Sequence, residues 1–340
     1  MTIEHPVLRL GLAGFDASQA EGIAQMLAGA ASGTTAWELG NFASADAWWF
    51  DARRARILPG DTLQVEPGDG QALLLQLHLP DVDRPIAFSG PMVLPATPES
   101  FTFDPTSAAS VAGVLEKFES WLSPLTAQFC LAAHIVDHQS ALQGGVHEVV
   151  GADRLLAVVD MHGDAAVLPG SSPGDFENSE WRRREADRPL PENFARVSLS
   201  QLMWQYAVRT QRDLLPKHYR SGLLYFRRPP HLPNRLLQDS HLLLMRELAL
   251  APLNFSTLQH RTGLSPARLA HELAALYFVG TITSNPKRAP RPHRGPRLEE
   301  NTGASQTSLL LPSSIDSALT EDGKPANLTD LTAPASLRPQ

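Results

Sequence analysis

His134 and His138 stand four residues apart in a stretch of helical spacing, with Asp137 beside them and His147 and Glu148 shortly after. Imidazoles at that spacing share a helix face and are able to chelate Zn²⁺. A zinc hydrolase also needs Glu directly after the first His and a third ligand at fixed spacing. Here Ile135 follows His134. Two surface histidines near a helix end are therefore the preferred expectation, and no metal is assigned. Trp181-Arg182-Arg183-Arg184 offers different chemistry. An indole beside guanidinium groups stacks a base or holds a nucleotide phosphate. These four residues form the candidate ligand site, set against a solvated loop or contacts with the acidic half. Arg227-Arg228 and Arg53-Arg54-x-Arg56 are weaker clusters of the same kind.

Motifs of catalysis are missing. The chain has no Gly-x-Ser-x-Gly, no Gly-x4-Gly-Lys and no Gly-x-Gly-x-x-Gly after its first apolar run. No catalytic residue and no cofactor is assigned, and the expected class is non-enzymatic. The single cysteine, Cys130, excludes an internal disulfide and fits a reducing compartment. It lies in an apolar helical stretch and reads as a small core residue. The N-terminus lacks a basic start and a long apolar run, so the expected location is cytoplasmic, with no membrane partner.

Charge is divided along the chain. Residues 1–180 carry 7 Lys and Arg against 23 Asp and Glu, whereas residues 181–298 carry 20 against 7. The basic half attracts polyanions. The division also raises the expectation that the acidic half lies against the basic half and masks it.

The elements that must position these residues follow from periodicity. Val7–Ala13 reads as a buried strand, leading through Gly14-Phe15-Asp16 into an amphipathic helix over about 17–30. A second strand covers 35–39, residues 45–50 form a short helix or strand, and Leu63–Glu66 and Ala72–Leu79 read as strands. This predicts a small acidic α/β domain over 1–90 that senses a signal or binds a protein partner. A linker (91–105) precedes a helix over about 109–140, which Pro124 should kink or split. A β-meander follows at 146–150, 154–160 and 165–168, giving a helix-plus-meander module over 106–170. Residues 171–197 read as a polar loop and 198–285 as a basic helical region. Residues 286–340 are Pro-, Ser- and Thr-rich, with little apolar content to offset chain entropy, and are expected to be disordered. The predicted class is thus α/β plus α+β.

Residues 238–285 hold the most regular pattern. Ser240–Ala249 predicts one helix and Phe255–Thr262 a second, ended by Gly263 as a left-handed cap. Ser265 caps a third with Pro266 at its first position. Phe255-x-x-Leu258, Thr262-Gly263-Leu264-Ser265, Leu269, Leu273 and Leu276–Ile282 together resemble the winged helix-turn-helix family of bacterial regulators. The resemblance implies that the third helix enters the major groove of double-stranded DNA. It would expose Ala267, Arg268, His271, Glu272 and Ala275, with Arg268 on a guanine edge or a phosphate. Arg261 and the arm Lys287, Arg288, Arg291 and Arg294 would add phosphate contacts.

Leu73-Leu74-Leu75-Gln76-Leu77-His78-Leu79 with Pro80-Asp81 resembles the central strand and loop of two-component receiver domains. There an Asp ends the strand and accepts phosphate. Gln76 stands near that place here, and only Asp16 follows the first strand. An amide serves neither as nucleophile nor as Mg²⁺ ligand, so the resemblance implies a degenerate receiver that takes no phosphate. The combined expectation is a DNA-binding regulator. The competing one is a protein-interaction scaffold whose winged helix does not touch DNA, or a nucleotide-responsive effector.

Overall fold

The computed structural model describes residues 4–30, 35–68, 74–92, 100–152, 154–185, 188–233 and 236–289. The tail expected to be disordered over 286–340 is corrected at its start, where Pro286–Arg288 form a 3-10 turn; its remainder from 290, with Arg291 and Arg294, lies outside the described residues.

The N-terminal part begins β1 (Val7–Ala13), α1 (Ala17–Ala30), β2 (Ala36–Leu39), β3 (Ala47–Phe50). It continues β4 (Ala55–Leu58), β5 (Thr62–Val65), β6 (Leu75–His78), β7 (Ile86–Phe88), β8 (Ser100–Thr102). Five strands form one parallel sheet in the order β2-β1-β3-β7-β8. Counted along the sheet this is the 2-1-3-4-5 order of a doubly wound fold. α1 and α2 (Ala108–Trp121) cover one face, where Leu8, Leu10, Ala47 and Trp49 meet Ile23, Leu27, Val114 and Phe118. The other face carries Trp48 and Phe50 and is covered by the antiparallel meander β4-β5-β6 through Leu63 and Val65. Every side chain of β3 is buried, as expected of a central parallel strand enclosed on both faces.

The expected central strand is thereby corrected. Residues 75–78 form the outer strand of the meander, not the middle of the sheet. Half-buried Leu75 and Leu77 alternate with exposed Gln76 and His78, the pattern of a strand laid on a surface. Pro124 does divide the predicted long helix. α2 ends at Leu122, which also precedes α3 (Ser123–His138), with Pro124 in the first turn, where it costs no hydrogen bond. The split separates two cores: α2 belongs to the N-terminal sheet and α3 to the second core.

That second core holds β9 (Val146–Gly151), β10 (Arg154–Asp160), β11 (Asp164–Val167), α4 (Pro173–Glu177), β12 (Ser179–Arg183), β13 (Ala195–Ser198) and α5 (Leu199–Ala207). Its antiparallel sheet runs β12-β9-β10-β11-β13. The predicted polar loop at 171–197 is therefore corrected. It contains α4, capped by Ser172 and Asp175, and β12, which pairs with β9.

The chain ends with α6 (His218–Ser221), β14 (Leu223–Phe226), α7 (Asp239–Leu250), β15 (Leu253–Asn254), α8 (Phe255–Thr262), α9 (Pro266–Phe278) and β16 (Ile282–Thr283). Gly263 adopts φ 70°, and Ser265 Oγ accepts the Arg268 amide at the start of α9. The small sheet runs β15-β14-β16. Its middle strand precedes the three helices. A wing would need a strand after β16 to pair with it. β14 pairs with one edge of β16, the outer strand of this sheet.

The two halves meet at the end of α5. Arg209 Nη2 lies 2.5 Å from Asp46 Oδ1 and Arg9 Nη2 donates to the Val208 carbonyl. Glu4 accepts from Tyr206 Oη, Thr210 Oγ1 and the Gln211 amide. Among the described residues no helix is long and apolar enough to cross a membrane.

Candidate functional site

The face of α9 is the first test of the expected site. Only its first turn is open: Pro266, Ala267 and Arg268 are exposed. From Leu269 onward α5 packs along it, and Ala270, Ala274 and Ala275 are buried. Glu272 and Ala275, expected on an exposed reading face, are corrected to the interior. Small side chains at these positions admit close helix packing, not solvent. Glu272 has a specific partner there. His241 Nε2 on α7 lies 2.5 Å from Glu272 Oε2, with side chains 1% and 7% exposed. The Gln238 amide donates to His241 Nδ1, which fixes the ring proton on Nε2, facing the carboxylate. Arg268 Nε reaches the other Glu272 oxygen at 3.4 Å. Burial alone would raise the Glu272 carboxyl, but His241, with Ser240 and Arg268, holds it below the usual range.

The remaining basic candidates are dispersed. Arg261, like Arg246, pairs with Glu247 on α7. Lys287 and Arg288 sit on an exposed 3-10 turn after β16. His271 is half-buried and borders a cavity of about 270 Å³ whose opposite wall includes Arg9, Asn41 and Ser44 of the N-terminal part.

The Trp181 cluster does not converge on one site. β12 is an edge strand, so successive side chains point to opposite faces. Trp181 stacks inward on His134, with ring centroids 5.3 Å apart. Arg182 pairs with Glu180 and Arg183 is exposed. Arg184 is buried against Glu148 at 2.7 Å. Alternation places Arg182 on the face opposite Trp181, and Arg184, beyond the strand, is taken by Glu148, so the four residues do not form one shared stacking and phosphate site. His134 is likewise not a surface residue: it is 4% exposed, and its Nε2 lies 3.2 Å from Ser179 Oγ. Burial, with His138 adding to it, pushes its pKa down to about 4. No group of three potential metal ligands occurs among the described residues. Burial pushes the Cys130 thiol up to about 12, leaving it without reactive thiolate.

Sequence reasoning missed Asp51. It directly follows central strand β3, at the carboxyl edge where doubly wound sheets bind ligands. Its neighbours occupy it fully. Arg53 makes a bidentate pair, with Nη2 2.9 Å from Oδ2 and Nε 3.1 Å from Oδ1. The Arg53 amide and Ser89 Oγ, just after β7, also donate to Oδ1. Burial works to raise this carboxyl, and those donors outweigh it and hold it low. The meander closes the edge: Arg54 donates to the Pro67 carbonyl, and a Cβ on Gly68 would overlap the Phe15 carbonyl. The carboxylate has neither a free oxygen for attack nor open space beside it. Comparison with protein-family models, curated proteins and solved structures returns no match. The residues themselves must therefore carry the functional argument.

Proposed function

We propose that this chain is a non-catalytic regulatory adaptor that acts through protein contacts, its three-helix unit serving as a core element and not as a DNA reader. The observation that carries this reading is the burial of α9 beyond its first turn. A recognition helix must present side chains into a groove wide enough for a helix; of the five positions expected to do so, Glu272 and Ala275 are buried and His271 is half-buried, leaving Ala267 and Arg268 of the first turn exposed.

The N-terminal part is read as a degenerate receiver that takes no phosphate and binds a protein partner. Its strand order and the placement of Asp51 support the receiver relation, now through Asp51 and not Gln76. The Arg53 pair supports the loss of phosphate transfer. Incubation of the full chain with acetyl phosphate and Mg²⁺ is expected to leave its intact mass unchanged. A phosphate on Asp51 that base or hydroxylamine removes, as expected of an acyl phosphate, would refute this part.

A second reading, contact with DNA phosphates alone, draws on exposed Arg268, Lys287 and Arg288. Fluorescence anisotropy with a mixed-sequence duplex at rising salt separates the two. The adaptor reading expects no binding tighter than the non-specific range of ~10⁻⁴–10⁻⁶ M near physiological salt. Tighter, sequence-selective binding lost in Arg268→Gln would overturn it.

A further inference from the structure

Two cavities adjoin at the joint between the halves, and both are lined by Arg9, Ser44, Val208 and Gln238. They are lobes of one cleft with Arg9 between them. The first, about 250 Å³, has an apolar wall of Trp121, Leu125, Trp204 and Leu236, with the amide side chains of Gln201 and Gln205 beside it. Trp121 is 42% exposed, an uncommon state for an indole. The second lobe, about 270 Å³, is lined by Arg9, Asn41, Arg268, His271 and Glu272; Arg9 Nε pairs with Glu38 and Arg268 Nε with Glu272, whose other oxygen lies against His241. Together the lobes reach the size of small-molecule sites, which pair an apolar wall with a few convergent polar groups.

We propose that this cleft binds a small organic anion bearing a flat, hydrogen-bonding ring, the chemistry of a nucleoside monophosphate. The ring lies against Trp121 and Leu125 with its polar edge toward the glutamine amides. The anionic group takes the guanidinium donors that Arg9 and Arg268, both lining the second lobe, do not already give to Glu38, the Val208 carbonyl and Glu272. The ligand would touch both halves, so its binding would stabilise their joint. This goes beyond the adaptor reading and does not depend on it.

The test is calorimetric titration of the full chain with AMP, GMP, CMP and UMP, and in parallel with the corresponding nucleosides and inorganic phosphate. At least one monophosphate is expected to bind with Kd below about 1 mM, and its nucleoside and phosphate alone ~10-fold or more weakly. Arg268→Gln removes an exposed cation and Trp121→Ala an exposed ring, so both variants should keep the wild-type melting transition. Each is expected to weaken the monophosphate ~10-fold. Failure of all four monophosphates to bind, or binding unchanged in both folded variants, would overturn the proposal. Equal binding of inorganic phosphate would also overturn it, by removing the ring from recognition. None of these outcomes bears on DNA or on protein partners, so failure here is distinguishable from failure of the adaptor reading.

Discussion

Replacing Glu272 by Ala is expected to lower the unfolding free energy by ~1–3 kcal/mol, measured as a shift in the urea transition at neutral pH. The carboxylate is 7% exposed and its partner His241 1%, so water replaces neither. Truncation leaves the Nε2 proton of His241 facing an apolar gap, and it frees the Arg268 head. The double variant Glu272→Leu with His241→Leu is expected to recover most of the loss, because two apolar side chains bury without desolvating charge. An additive loss in the double variant would show that the pair contributes nothing beyond volume. The pair also sets an acid limb. The folded Glu272 pKa lies below its ordinary value of 4.5. The folded state therefore binds this proton less readily than the unfolded chain. The resulting stability is complete above the ordinary pKa and is lost as pH falls through the folded one. Glu272→Ala should lack that part of the acid-induced loss.

Trp204→Ala is expected to cost ~3–5 kcal/mol in the same measurement. Trp204 is fully buried on α5, and its ring centroid lies 4.5 Å from that of His241. It packs the joint between α5, α7 and α9 while also bordering the cleft with the N-terminal part. Truncation leaves a cavity beside the buried His241 ring and Glu272 carboxylate, so the loss should exceed that of Trp204→Phe by more than 1 kcal/mol or so. Trp204 and Glu272 act on one cluster through His241. Their combined loss is expected to differ from the sum of the single losses by ~0.5 kcal/mol or more. Strict additivity would mean that α5 and α7 hold α9 independently.

Local signals were legible where one residue type decides the backbone. Pro124 marks the break between α2 and α3, Gly263 the left-handed end of α8, and Ser265-Pro266 the start of α9. Val7–Ala13 was legible as a strand because a long apolar run before Gly14 admits little else. Choices made by distant partners were not legible. Ala47-Trp48-Trp49-Phe50 has no alternation, so its length and apolarity fit a short helix or a buried strand equally well. The longer apolar run at Leu73–Leu79 fits a central strand by length and composition, and that position is where a phosphate acceptor would stand. The Leu–Gln–Leu–His alternation of 75–78 was a visible sign of a one-sided strand, and it pointed away from the middle of a parallel sheet. Asp51 became meaningful only once β3 and β7 placed Ser89 beside it. On α9, Ala275 reads as exposed in a groove-reading helix. In the fold it is buried, as are Ala270 and Ala274. Glu272 read as exposed because its partner His241 lies on another helix, α7.

The burial of α9 is most directly tested by thiol labelling at two alanines. Ala267→Cys and Ala275→Cys are small changes at positions that a groove-reading helix would expose equally. Native Cys130 is fully buried and gives little background. In the folded full chain the cysteine at 267 is expected to react with a maleimide at the rate of a free thiol. The cysteine at 275, where the alanine is 0% exposed, is expected to react only on unfolding. Equal, rapid labelling at both positions in protein with an unchanged urea transition would contradict the account and return α9 to the surface.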